Sequence, residues 1–148
     1  MFYNTRTLKN NEDLFNNERK RNVNNTNKDI YNCGGYALET FSWYVPRTTT
    51  RGCVNNDSHA DSIQTMLKDF PTLRIINTID DLQPNEYAIA YKTSESDFHF
   101  IKRSNNGHWF HKMGGCDIIE TMPVNTVFNE KWNGRYDSEL TLFAKKRE

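Results

Sequence analysis

The 148-residue sequence predicts an α+β fold in which N-terminal helices pack on an antiparallel sheet. Two observations carry that expectation. Helical spacing of apolar residues is concentrated in the first half, over residues 33–44 and 59–69. Short aromatic and β-branched runs fill the second half, YAIAY at 87–91 and FHFIK at 98–102, with a further run from Trp109 and turn signals between them. The chain has the usual size of one compact domain, so residues 1–29 are read as a polar arm and residues 30–148 as the single domain.

In the arm, Leu8, Leu14 and Phe15 are expected to anchor a short helix. The stretch NVNNTNKD at 22–29 reads as a loop, because Asn side chains compete with regular backbone hydrogen bonding. From Cys33 to Tyr44, the residues Tyr36, Ala37, Phe41 and Tyr44 keep helical spacing, Leu38 widens the face, and Pro46 closes the segment. Gly34 and Gly35 are poor helix formers, yet at a first turn they let another chain or a substrate approach the backbone closely.

The run at 48–53 is a loop. Asp57 or Ser58 caps a second helix over 59–69, with Ile63, Met66 and Leu67 on one face and Pro71 beyond its end. Leu73–Ile76 is a short strand and residues 82–86 a turn. The connector SNNG at 104–107 joins the FHFIK strand to one over Trp109–Met113, which Gly114 and Gly115 end. After Pro123, residues 124–131 form a short helix or a loop. A last strand over 140–144 places Leu140, Leu142 and Ala144 on one face.

Composition narrows the function classes. Basic and acidic residues balance at 19 each, which argues against a general nucleic-acid binder, since that class needs a basic excess. Arg19, Lys20 and Arg21 then read as a solvated cluster. No apolar run approaches the roughly 20 residues that span a bilayer, and the N-terminus lacks the basic-then-apolar layout of a secretory signal. A cytoplasmic protein, or one released by lysis or another signal-independent route, is expected, with no membrane partner. Cys33, Cys53 and Cys116 are odd in number and lack close pairing, which argues against a disulfide framework or a zinc ribbon.

Thiol catalysis needs a thiolate, a base to take its proton, and donors for the oxyanion. A cysteine at the start of a helix gains the first from the helix dipole, and Cys33 occupies such a position. Four histidines could supply the base: His59, His99, His108 and His111. On a strand, Asp97, His99 and Ile101 point one way and Phe98 and Phe100 the other, so an imidazole flanked by rings on an adjacent strand could be held rigidly against the helix. His108 sits at a turn, while His111 is accompanied by Trp109. Asp97 either orients His111 or caps a turn. Cys53 and Cys116 read as structural or incidental, and Trp43, Trp109 and Trp132 as core or rim residues. A zinc site from Cys33, His99, His111 and Cys116 is the alternative use of the same residue types.

The segments Asn32-Cys33-Gly34-Gly35-Tyr36-Ala37-Leu38, DFHFIKR at 97–103 and GHWFHKMGG at 107–115 resemble the papain-like NlpC/P60 and CHAP group of small cysteine hydrolases. More closely, they resemble phage and Firmicute proteins with an NCxxYAL segment and a later DxHxx[KR]…GxWxHKxG segment. The resemblance implies a papain-like fold with Cys33 as nucleophile, His99 as general base and His111 as the residue that orients it. Asn32 and Gly34 would support the site or the oxyanion. That group usually has Asp-Cys-Ser-Gly where this chain has Asn-Cys-Gly-Gly.

The expected function is therefore a cysteine-dependent hydrolase that cleaves an amide or isopeptide bond in a peptide or protein substrate, with no cofactor and no metal. The rival is a non-enzymatic phage or accessory protein that binds and inhibits a host partner with the same fold, in the host cytoplasm if phage-encoded. A secreted effector or toxin domain is a weaker third reading.

Overall fold

The computed structural model describes residues 31–46, 59–95, 97–104, 107–112 and 119–147. The expected N-terminal arm, the Asn-rich stretch, the 48–53 loop, the Asp57 or Ser58 cap, Cys53, Met113 to Gly115 and Cys116 all lie outside the described residues.

A six-stranded antiparallel sheet forms the middle of the molecule. In chain order its strands are β1 (Leu73–Ile76), β2 (Glu86–Thr93), β3 (Phe98–Arg103), β4 (Trp109–Lys112), β5 (Ile119–Met122) and β6 (Thr141–Lys146). Their spatial order is β1-β6-β2-β3-β4-β5, and every neighbouring pair is antiparallel. The expected meander is therefore real from β2 to β5, but the last strand returns between β1 and β2. β5 was not expected from the sequence.

Alternation along the strands gives the sheet two apolar faces. One carries Tyr87, Ile89, Tyr91, Phe100 and Phe143, covered by Cys33, Ala37 and Leu38 and by Ile63 and Met66. The covering residues come from helix α1 (Cys33–Ala37) with its cap Leu38, and from helix α2 (His59–Asp69). The other face carries Ala88, Ala90, Ile101, Trp109, Leu142 and Ala144. Val127 of helix α3 (Val124–Asn129) covers it, with Trp132 and Tyr136 from the loop that follows. The small alanines of β2 and β6 leave room for these large rings.

α1 is much shorter than the expected 33–44 helix. It ends at Ala37, and the chain then passes through left-handed backbone at Glu39 (φ 58°) and Phe41 (φ 51°). This reversal carries Ser42–Tyr44 back across the first turn of α1. A Cβ on Gly35 would stand 1.8 Å from the Ser42 carbonyl oxygen, so only glycine permits the crossing. The close approach expected at Gly34-Gly35 is thus made by the chain's own next segment.

Candidate active site

Asn32 is the N-cap of α1 and the clasp of the returning segment. Its Oδ1 accepts from the Gly35 N–H at 3.0 Å and the Tyr44 N–H at 3.1 Å, while Nδ2 donates to the Tyr44 carbonyl at 2.7 Å. Asn32 thus supports the start of α1 and the returning segment. Gly34 is similarly confined, since a Cβ there would meet the Tyr44 carbonyl at 3.0 Å and the Phe100 ring at 3.3 Å. A side chain here, such as the serine usual after the cysteine in the resembling group, would require the Tyr44 carbonyl and the Phe100 ring to give by a few tenths of an ångström.

Cys33 opens α1, which packs on β3 and β4. The thiol is not lowered as the helix-dipole argument expects. Burial pushes it up to about 12, with the Asp97 carboxylate adding to the rise; the Phe100 and Gly34 backbone N–H groups and the Lys112 ammonium pull the other way. The physical reason is that a five-residue helix offers a weak dipole, whereas desolvation penalises the thiolate in full.

His99 and His111 are brought together. His99 Nε2 and His111 Nδ1 form a hydrogen bond of 2.9 Å between rings set nearly perpendicular at 83°. His99 also stacks on Tyr136, with centroids 5.4 Å apart, and meets Trp132 edge-on at 6.0 Å. It is flanked by rings, but they come from the loop after α3 on the sheet face opposite α1, not from an adjacent strand holding it against the helix as expected. No hydrogen bond joins Cys33 to either imidazole. Burial pushes His99 down to about 3, aided by His111 and Arg135, and burial also lowers His111.

β3 and β4 pair over only part of their length. Their pairing is confined to Lys102–Phe110 and Arg103–Trp109 and stops short of His99 and His111. At that open end the Phe100 backbone faces the Cys33 sulfur from one side, and the histidine pair lies on the other. The exposures of Cys33, His99 and His111 are 4%, 2% and 5%, so each of the three groups is enclosed by protein.

Asp97 neither orients His111 nor simply caps a turn. Its carboxylate accepts from Tyr136 Oη at 3.0 Å and Arg135 at 2.9 Å, tying the aromatic loop over His99. Tyr136 was missed as part of the site because its role depends on stacking against a strand almost forty residues away. His59 is held elsewhere, between Thr93 Oγ1 at 2.9 Å and Thr141 Oγ1 at 3.3 Å. His108 is partly buried at the β3–β4 turn, where its carbonyl accepts from Ser104. Among the described residues, no group of three or more His, Cys, Asp or Glu is arranged to hold a metal ion. No helix among them is long and apolar enough to cross a membrane.

A family model described as a domain of unknown function, DUF7689, matches residues 22–135. No curated protein and no solved structure matches the chain.

Proposed function

Since the chain belongs to the DUF7689 family, a domain of unknown function, we propose from the site itself that it is a cysteine-dependent hydrolase acting on an amide or isopeptide bond. The observation that carries this reading is the arrangement of the histidine pair. His99 uses Nε2 to reach His111 Nδ1, and its Nδ1 makes no hydrogen bond among the described residues although the ring is almost wholly buried. A buried, unpaired imidazole nitrogen is costly and persists at places where a proton is to be taken or given.

The bond between the two rings admits either direction of donation, and the mechanism uses one of them. If His99 Nε2–H donates to His111 Nδ1, the lone pair of His99 rests on Nδ1, and that nitrogen is the base. His111 then carries its own proton on Nε2. Cys33 Sγ would attack the substrate carbonyl as His99 Nδ1 takes the thiol proton, and the same nitrogen would return it to the leaving amine. The Cys33 backbone N–H, at a first turn with no helical acceptor, is the donor for the oxyanion. In the closed site both members of the dyad are neutral, because burial raises the thiol and lowers the imidazole. Activation therefore belongs to the substrate-bound or opened state. The NlpC/P60-like segments support the same residue assignment.

A second reading, a protein of related fold that works by binding and inhibiting a partner, has one observation in its favour: the thiol is enclosed and pushed up to about 12.

Alkylation by iodoacetamide, mapped to Cys33 by mass spectrometry, tests the choice. The hydrolase reading expects the rate at pH 7.5 to fall at least about tenfold in His99→Ala, the effect of one unit in thiol pKa, while the variant stays folded. Equal rates in the two proteins would remove the hydrolase reading and leave the binding one.

A further inference from the structure

Three lysines of the sheet are buried, and each gives its ammonium to an oxygen. Lys92 donates to the Glu130 carbonyl at 2.9 Å, and Lys102 to the Glu39 carboxylate at 3.1 Å. The first anchors the chain just after α3, and the second anchors the reversal after α1. Lys112 donates to the Tyr31 carbonyl at 2.6 Å, and its place is different. Tyr31 lies two residues before Cys33, and Asn32 between them caps α1. Alternation along β4 sends His111 to one side of the strand and Lys112 to the other. One short strand thus presents an imidazole to His99 on one face and a buried ammonium to the start of α1 on the other. The ammonium stands 5.1 Å from the Tyr31 ring centroid, and Tyr31 packs with Tyr36 and Phe110.

From this placement we propose that Lys112 is a positioning residue for Cys33: its buried ammonium holds the chain entering α1 and supplies the positive charge that a thiolate there requires. The inference rests on the cysteine-hydrolase reading above. Coulomb interactions are strong where water is excluded, so a fixed cation near the helix start matters more than one at the surface.

The charged and titratable groups around the thiol come from each packed element. Asp97, at the start of β3, opposes ionisation, and Lys112 of β4 favours it. The phenols of Tyr91 on β2 and Tyr136 in the aromatic loop are themselves pushed up by burial, and His99 is pushed down, so all three are neutral at pH 7. Among the described residues, Lys112 is thereby the cation that acts against Asp97 at Cys33.

The test is the pH dependence of Cys33 alkylation in the full chain, in Lys112→Gln, Lys112→Arg and His99→Ala. Gln keeps a donor for the Tyr31 carbonyl but loses the charge, and Arg keeps the charge. The expected result is an apparent Cys33 pKa at least about one unit higher in Lys112→Gln, a tenfold slower reaction at pH 8, and recovery in Lys112→Arg. In the unaltered protein, the Lys112 Cε resonance is expected to shift with the same midpoint as Cys33.

A Gln variant whose alkylation curve overlays the wild type, with only its melting temperature lowered, would overturn the proposal. So would a Lys112 resonance indifferent to Cys33 ionisation, which settles the matter even if the Gln variant does not fold. Dependence on Lys112 without dependence on His99 removes the hydrolase reading but keeps the lysine's role. Dependence on His99 alone does the reverse.

Discussion

Gly35 and Gly34 stand side by side in α1 but carry different constraints. At Gly35 an added methyl group would overlap the Ser42 carbonyl, while at Gly34 it would press on the Tyr44 carbonyl and the Phe100 ring at 3.0–3.3 Å. Overpacking of this kind costs typically ~1–3 kcal/mol, and backbone on the other side cannot yield as a side chain can. Gly35→Ala is therefore expected to lose about 3 kcal/mol or to prevent folding, and Gly34→Ala about 1 kcal/mol. Urea denaturation of both variants checks the order, and equal losses would show that the crossing at Ser42 is not what requires Gly35. The sequence marked both glycines as points of close approach. It did not say what approaches, because Asn32 and Tyr44 are twelve residues apart and their hydrogen bonds exist only after the chain reverses.

Among elements, the reversal after α1 is stabilised by charge. Burial acts to raise the Glu39 carboxyl, but the hydrogen bonds and charges of Arg147 and Lys102 outweigh it and hold the group below its usual 4.5. Arg147 reaches Glu39 at 2.7 Å and Lys102 at 3.1 Å, so residues beyond β6 and within β3 grip the left-handed turn at Glu39 together. A carboxyl whose folded pKa is depressed contributes stability that is fully present above the unfolded value and is lost as pH falls through the folded one. Thermal melts from pH 6 to pH 3 should therefore find Glu39→Gln less stable than the wild type at pH 6, with the gap closing below about pH 4.5. A gap independent of pH would show that the carboxylate's charge contributes nothing. The expected 33–44 helix breaks at this point: Phe41 and Tyr44 keep a helical period with Cys33–Ala37 although they lie beyond the reversal. Phe41 instead packs edge-on against Tyr31, with centroids 5.3 Å apart. Periodicity registers spacing and cannot tell a continuous helix from a folded-back one. The α2 span and the face shared by Leu140, Leu142 and Ala144 were legible, because there local pattern and burial agree.

For the whole molecule, the placement of β6 is decisive. It pairs with β1 and β2 at once, and Phe143 enters one core layer while Leu142 and Ala144 enter the other. Ending the chain after Glu139 removes that strand and detaches β1 from the sheet. The shortened protein is expected to lose its cooperative thermal transition, whereas removal of Arg147 and Glu148 alone should lower the midpoint and leave the transition sharp. A cooperative melt in the chain ending at Glu139 would mean that β1 and β2 can close the sheet without β6.

By itself the sequence determined the α+β class and most of the strands, because alternation and helical spacing are written in neighbouring positions. It also determined that His99 and Phe100 face opposite ways. Only the tertiary structure decided which of those faces α1 would cover, that His99 and His111 would share a hydrogen bond, and that Tyr136 and Asp97 would close over them. It also decided that the thiol would be raised by burial instead of lowered by a helix dipole. These outcomes depend on contacts between residues far apart in the chain and on the exclusion of water between packed layers, and no local pattern encodes either.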